Sequence, residues 1–264
     1  MDRLGGIAVI TGGASGIGAA CCRVFRDWGA EVVVLDRDIA RARMVAEQIG
    51  GHAVCGDVGD ADGIDRVAAD IEAAHGAVAM LVTSAGVIQR PVRPDALSMS
   101  DWDEVVRIDQ RGTYVSCLAF GRRMVQRRAG AIVNIASIAG MRSMPLHTYS
   151  PAKAAVISMT ENLAAEWGPA GVRVNTVSPG FTRTPALQAA IDKGERDVSR
   201  LERLSALGRM VEPEEIARAC AFLCSGDAAA ITGVNIPVDC GWLVTTSWET
   251  YGGLRPPADN AEPR

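Results

Sequence analysis

Tyr149 and Lys153 are spaced i, i+4, so on a helix they lie side by side on one face. A free tyrosine has a pKa near ~10 and is a poor base at neutral pH, but a neighbouring ammonium favours the phenolate and lowers that pKa. Such a pair is suited to exchanging a proton with a substrate hydroxyl. Ser137 follows an apolar run, Ala131 to Ile135, and so stands where a strand ends. The carboxyl ends of strands are where open α/β sheets bind ligands. Each residue has an ordinary counterpart: a core tyrosine, a surface lysine in a helical pair, a serine closing a strand. His147, the histidine closest to this cluster, is read as a pocket wall or loop residue, because Tyr149 already fills the proton role.

Far upstream lies a segment with a different chemistry, Thr11-Gly12-Gly13-Ala14-Ser15-Gly16-Ile17-Gly18. Glycines at Gly12, Gly16 and Gly18 permit a tight turn and close approach of backbone to a pyrophosphate. The helix that follows offers free N–H groups and a favourable dipole, so Gly12, Ser15, Gly16, Ile17 and Gly18 are candidate cofactor contacts. Asp36 lies 18 positions beyond Gly18, at the end of the second strand. A carboxylate there accepts hydrogen bonds from ribose hydroxyls and repels a 2′-phosphate, which favours NAD over NADP. Arg37, beside it, pulls the other way.

The elements that must position these residues alternate along the chain. Strands are expected at Ile7 to Thr11, Glu31 to Leu35, His52 to Cys55, Ala79 to Thr83, Ala131 to Ile135, Val172 to Val177 and Val234 to Val238. Helices are expected from about Gly16 to Trp28, Ile39 to Ile49 and Ile64 to His75, with others around Ser116 to Arg127 and Ala152 to Trp167. Continuous apolar runs suit parallel strands covered on both faces. Strand–helix–strand repetition implies right-handed crossovers, so the expected fold is α/β, a Rossmann-type doubly wound parallel sheet with helices on both faces. Ser100, with Asp101, Asp103 and Glu104 after it, reads as a helix cap, and Glu212-Pro213-Glu214-Glu215 as another helix start.

The bulk properties exclude several classes. The chain has 264 residues, 48% of them hydrophobic and 22% charged, and is expected to form a single domain, 1–264. Residues 182–207 look like a substrate-loop insertion over the sheet's edge, and 245–264 form a tail that is either disordered or pinned by Trp248, Tyr251 and Leu254. A net charge of −4 without a basic stripe argues against nucleic acid. No apolar stretch of about 18 residues suggests a membrane span, and no signal peptide is expected. Seven scattered cysteines then read as reduced thiols in a cytoplasm. Cys220 and Cys224, one helical turn apart, lack further ligands nearby and read as a buried helix face, so no metal site is expected.

The order of these motifs resembles the short-chain dehydrogenase/reductase family. The turn is similar to that family's TGxxxGxG. Asp57-Val58 resembles its adenine-contacting pair, Thr83-Ser84-Ala85-Gly86 its NNAG segment, and Asn134-Ile135-Ala136-Ser137 the segment carrying its serine. Tyr149-Ser150-Pro151-Ala152-Lys153 is similar to its YxxxK motif, and Pro179-Gly180 with Thr182 and Thr184 to its nicotinamide-contacting segment. The resemblance continues from Ile231-Thr232-Gly233 through Val238-Asp239. Several motifs in order at family spacing carry what a single glycine turn cannot. The resemblance implies a nicotinamide-dependent oxidoreductase acting on a secondary alcohol or ketone, and Asp36 makes NAD the preferred cofactor. Tyr149 would be its acid/base, Lys153 would lower the tyrosine's pKa and bind the nicotinamide ribose, and Ser137 would hydrogen-bond the substrate oxygen. Asp57, Val58, Ala85, Gly86, Pro179, Gly180, Thr182 and Thr184 would contact the cofactor. It also implies a homotetramer or homodimer, with the helices around Ser116 to Arg127 and Ala152 to Trp167 at the interface.

Where the family usually has a catalytic asparagine, this chain has Asp109. Its carboxylate near Lys153 would oppose the cation and raise the pKa of Tyr149, moving the working pH to the alkaline side. Pairing with Arg107 or Arg111 is the alternative. Cys240 stands where the family commonly has glycine. The wall residues expected are Met141, Met144, Leu146, His147, Phe181 and Leu187, a fairly apolar set that suits cyclic or aromatic alcohols better than sugars. Two other functions fit the same residues: a nucleotide-sensing module with an impaired active site, and sugar-nucleotide epimerase or dehydratase chemistry. The first is disfavoured by intact Ser137, Tyr149 and Lys153, the second by the lack of room for a larger substrate domain.

Overall fold

Even- and odd-numbered residues of the first two strands divide between two apolar cores, and that division builds the fold. The computed structural model describes residues 4–255. Seven strands, β1 (Ile7–Thr11), β2 (Glu31–Asp36), β3 (His52–Cys55), β4 (Val78–Thr83), β5 (Gly130–Ile135), β6 (Val172–Pro179) and β7 (Asn235–Val238), form one sheet in the order β3-β2-β1-β4-β5-β6-β7. Every pair is parallel. The order reverses between β1 and β4, the switch point where the doubly wound sheet opens its ligand crevice.

Ala8, Ile10, Val32 and Val34 point to one face, under α1 (Gly16–Asp27), α2 (Ile39–Ile49) and, later in the chain, the helix Pro213–Cys224. Ile7, Val9, Val33 and Leu35 point to the other, under α3 (Ala61–His75) and the helices Thr113–Arg127 and Tyr149–Trp167. Both faces of the strands are covered, which is why their sequences run apolar without alternation.

The remaining helices follow in order. α4 (Met99–Val105) passes through a π-helical stretch, Val106–Gly112, into α5 (Thr113–Arg127). Then come α6 (Tyr149–Trp167), α7 (Pro185–Asp192), α8 (Val198–Arg203), α9 (Pro213–Cys224) and the short α10 (Trp242–Thr245). Glu212 and Glu215 form a capping box at α9, with Pro213 in the first turn. Cys220 and Cys224 are buried on the face of α9 that packs against α1.

Some boundaries depart from the sequence reading for local reasons. α3 begins at Ala61 rather than Ile64, because the Asp60 carboxylate accepts the Gly63 N–H at 3.0 Å and caps an earlier turn. α4 is capped by Ser98, whose Oγ accepts the Asp101 N–H at 3.1 Å, and not by Ser100, which falls inside the first turn. β6 runs two residues beyond Val177, to Pro179, because β7 pairs with it there. Of the tail, residues 256–264 lie outside the described residues. In its described part Tyr251 is 90% exposed, Trp248 and Leu254 are partly covered at 46% and 38%, and buried Thr245 donates to Leu204 O. No helix among the described residues is long and apolar enough to cross a membrane.

Candidate active site

The carboxyl ends of β1, β2, β4, β5 and β6 open into a cavity of 630 Å³. Its first wall is the turn between β1 and α1. Gly12 has φ +65°, and a Cβ there would lie 2.6 Å from the backbone of Ala85, so only glycine fits. The Ser15 side chain makes no capping hydrogen bond, which leaves the first N–H groups of α1 available. Gly12, Ser15, Gly16 and Ile17 line the cavity, but Gly18 does not. A Cβ on Gly18 would sit 2.1 Å from Gly12 O, so its task is to let the helix close on the turn.

Asp36, at the end of β2, also lines the cavity. One carboxylate oxygen accepts the Ala14 N–H at 3.1 Å and the other the Asp38 N–H at 3.0 Å, which fixes the side chain beside the turn. Arg37, Asp38 and Arg41 border the same end, with Arg41 ion-paired to Asp38 at 3.4 Å. Asp57 and Val58 follow β3. Burial works against the Asp57 carboxylate, but the Gly59 N–H and the Arg107 guanidinium outweigh it and hold its pKa below the usual range. Arg107 also grips Glu104 through two hydrogen bonds, at 2.8 and 3.0 Å.

The other end of the cavity is assembled from β5, α6 and the π-helical stretch. Ser137 follows β5, and its Oγ accepts the Ala139 N–H at 3.1 Å, starting a short 3₁₀ turn. Tyr149 and Lys153 open α6, and the Lys153 ammonium stands 5.5 Å from the Tyr149 ring centre. Thr148, the residue before, is held from outside by buried Gln89, whose Oε1 accepts the Thr148 N–H at 2.9 Å. Lys153 is buried and donates to Ile135 O at 3.1 Å.

Asp109 reaches the same place. Its Oδ2 lies 3.1 Å from Lys153 Nζ, with both side chains buried, and its Oδ1 accepts the Val87 N–H at 2.8 Å. The alternative pairing with Arg107 or Arg111 does not occur: Arg107 takes Glu104 and Asp57, and Arg111 donates to Gly59 O. Burial pushes the Tyr149 phenol up, Asp109 adds to that, and Lys153 with a hydrogen bond from Ser137 only partly offsets it. The net direction is upward. Burial opposes the Lys153 ammonium, yet Asp109 and then Tyr149 outweigh it and raise the lysine's pKa.

Ala85, Gly86, Pro179, Gly180, Thr182 and Thr184 complete the lining. Thr83, at the first position of the segment that resembles NNAG, donates its hydroxyl to Asn134 Oδ1 at 2.7 Å, and Asn134 Nδ2 in turn donates to Thr160 at 2.9 Å. The chain's hydroxyl therefore finds an amide partner on the neighbouring strand. Residues 182–207 supply α7 and α8, and Thr184, Ala186, Leu187, Ala190 and Arg196 of this segment line the cavity. Of the expected wall residues, Met144, Leu146, Phe181 and Leu187 line it. Met141 turns instead to Asn235, whose Nδ2 donates to its sulfur at 3.2 Å, and His147 is not part of the lining.

The sequence reading missed Gln89, Ile138 and Arg196, as well as the π-helical stretch that carries Asp109. Cys240 has φ +53°, the left-handed conformation that favours glycine, which accounts for the glycine the family commonly has there.

Three groups fit a dinucleotide: the free N–H groups at the α1 terminus, a backbone cradle that a Cβ at Gly12 would fill, and the anchored Asp36 carboxylate. The family model that matches residues 12–243 is described as enoyl-(acyl carrier protein) reductase. The chain is 38% identical over 246 residues to a D-threitol dehydrogenase of Mycolicibacterium smegmatis, covering 91% of this chain and 94% of that one. It is likewise 38% identical to a galactitol 2-dehydrogenase (L-tagatose-forming) of Cereibacter sphaeroides, covering 91% and 96%. A crystal structure from Brucella melitensis 16M, described as ribose-5-phosphate isomerase, is 53% identical with a TM-score of 0.93, covering 96% and 98%.

Proposed function

The chain belongs to the short-chain dehydrogenase/reductase family, and from that premise we propose that it is an NAD-preferring dehydrogenase of secondary alcohols, with Tyr149 as acid/base. The observation that carries this reading is that Ser137, Tyr149 and Lys153 share one cavity with the glycine turn and Asp36.

The turn at Gly12–Ile17 and the first N–H groups of α1 hold the pyrophosphate, and Asp36 takes the ribose hydroxyls next to the adenine. Asp57, Val58, Ala85 and Gly86 form the adenosine and ribose walls; Pro179, Gly180, Thr182 and Thr184 hold the carboxamide end. The bound nicotinamide supplies the hydride acceptor. Tyr149 takes the hydroxyl proton of the alcohol as that hydride leaves, and returns it in the reverse direction. Ser137 hydrogen-bonds the same substrate oxygen, where charge develops. Lys153, its ammonium 5.5 Å from the Tyr149 ring centre, favours the phenolate and would bind the nicotinamide ribose. Asp109 holds Lys153 and the segment after β4, and tunes the pair toward alkaline pH. Residues 182–207 close over the substrate.

The polyols named for the two dehydrogenase relatives are the first substrates to test. The apolar wall of Met144, Leu146, Phe181 and Leu187 adds cyclic alcohols to the panel. The enzyme is proposed to be cytoplasmic and a homotetramer or homodimer. The small exposed residues Ala154, Ser158 and Ala165 of α6 allow the close helix approach that such an interface needs.

The test is a titration of the purified protein with NADH and NADPH, followed by an alcohol screen with the preferred cofactor. Tighter NADH binding and turnover of a secondary alcohol support the proposal. Tighter NADPH binding overturns the cofactor assignment. Binding without turnover of any alcohol returns the sensing module as the better reading. Interconversion of pentose phosphates without net cofactor reduction assigns the chain the activity named for its Brucella relative.

A further inference from the structure

At the other end of the same strands, Glu31, His52 and His75 stand together, and nothing in the proposed reaction uses them. Their ligand atoms all lie within 4.8 Å of one another. His52 Nε2 and Glu31 Oε1 are hydrogen-bonded at 2.8 Å, and the rings of His52 and His75 lie with centres 4.0 Å apart, tilted by 31°. Among the described residues no other group of three such side chains converges in this way.

The convergence follows from the fold. His52 pairs with Val33 across the β2–β3 register, and Glu31 is two residues before Val33 on the same strand face. That face is covered by α3, whose buried stripe runs Ile64, Ala68, Ile71 at helical spacing. His75 is the next position of that stripe, in the last turn of the helix. It therefore overhangs the start of the two strands instead of entering the core. Glu31 is exposed and both histidines are half-buried, so all three can be reached from solvent.

We infer that Glu31, His52 and His75 form a binding site for a divalent transition-metal ion of the zinc type. Two imidazoles and one carboxylate are a recurrent ligand set for zinc, with a fourth position left to water. Nitrogen ligands select borderline ions over magnesium or calcium, which require oxygen sets. The negative end of the α3 dipole favours a cation beside His75. Ligation displaces the proton shared by His52 and Glu31, and ties β2, the edge strand β3 and α3 at one point. Glu31 is five residues from Asp36, about 17 Å along the strand, so the site is separate from the cofactor cavity. Its effect is on the stability of the edge that carries Asp36 and Asp57.

Titration calorimetry of the full-length protein with zinc chloride under reducing conditions tests this. One saturable equivalent is expected, lost or weakened at least tenfold in His52→Ala and in His75→Ala, and unchanged in Cys55→Ser. Saturating zinc should raise the thermal midpoint of the wild type by about 5 °C and leave both histidine variants unmoved. NADH binding by each variant reports that it is folded. Should a histidine variant not fold, the cobalt(II) spectrum of the wild type decides: a nitrogen and oxygen ligand set supports the site, and thiolate charge-transfer absorption contradicts it. Absence of a saturable equivalent, wild-type affinity in both histidine variants, or loss of binding in Cys55→Ser overturns the inference.

Discussion

The Asp109 carboxylate lies 3.1 Å from the Lys153 ammonium, and both side chains are buried. The same carboxylate accepts the Val87 N–H. One side chain therefore links the π-helical stretch, the segment after β4 and the first turns of α6. Two opposite charges in a low-dielectric site interact strongly, so Lys153 stays charged, while its field on Tyr149 is partly cancelled. This arrangement makes the proposed base harder to ionise than Tyr149 and Lys153 alone would give.

A pH dependence follows, with a definite sign. Burial and Asp109 raise the Tyr149 pKa, so the phenolate needed for alcohol oxidation is populated only toward alkaline pH. Asp109→Asn removes the negative charge and keeps the shape. The rising limb of the oxidation profile should then move to lower pH, and the ketone-reduction rate, which needs the protonated phenol, should fall off at lower pH too. Matched pH–rate profiles of kcat/KM for wild type and variant check this; superimposed profiles contradict it.

Cofactor preference should rest on Asp36. Its oxygens accept two backbone N–H groups and still face the cavity. In Asp36→Ala the lost charged hydrogen bonds, about 1.5–3 kcal/mol, weaken NADH about 10- to 100-fold. NADPH should be affected less or bind more tightly, because Arg37 is left without the opposing carboxylate. Fluorescence titration with both cofactors measures the ratio. An unchanged ratio removes Asp36 from the selection.

Much of this arrangement is legible in the sequence, and the exceptions have physical causes. The strands were visible because both of their faces are buried, so their apolar runs are unbroken. The glycine turn and the Tyr149–Lys153 spacing were visible because both are local. The partner of Asp109 was not, since the contact spans 44 positions (153 − 109) and the π-helical turn that aims it leaves no mark in apolar periodicity. Ser100 looked like a cap because a serine ahead of acids is the pattern, but Ser98 satisfies it two residues earlier. Met141 and His147 are close to the site in sequence but do not line the cavity, and Met141 meets Asn235 instead. The Glu31–His52–His75 cluster was invisible for the same reason as the Asp109 pair: three elements contribute one residue each.

Backbone strain at Cys240 predicts a stabilising change. The residue holds φ +53°, where a Cβ crowds the following carbonyl at a cost of about 1–2 kcal/mol. Cys240→Gly relieves that and gives back part of it through the freer unfolded chain. A net gain of about 0.5–1 kcal/mol is expected in urea denaturation, with m unchanged. Destabilisation would show that the side chain itself contributes packing that offsets the strain.

The proposed chemistry turns on Tyr149, and a single substitution tests it. Tyr149→Phe keeps the ring and removes the hydroxyl that exchanges the proton. Measured with the best alcohol from the screen, kcat/KM should fall by about 10²–10⁴-fold while the NADH dissociation constant stays within about twofold of wild type. A Phe variant that oxidises the alcohol at near the wild-type rate, with cofactor binding intact, would contradict the assignment of Tyr149 as acid/base.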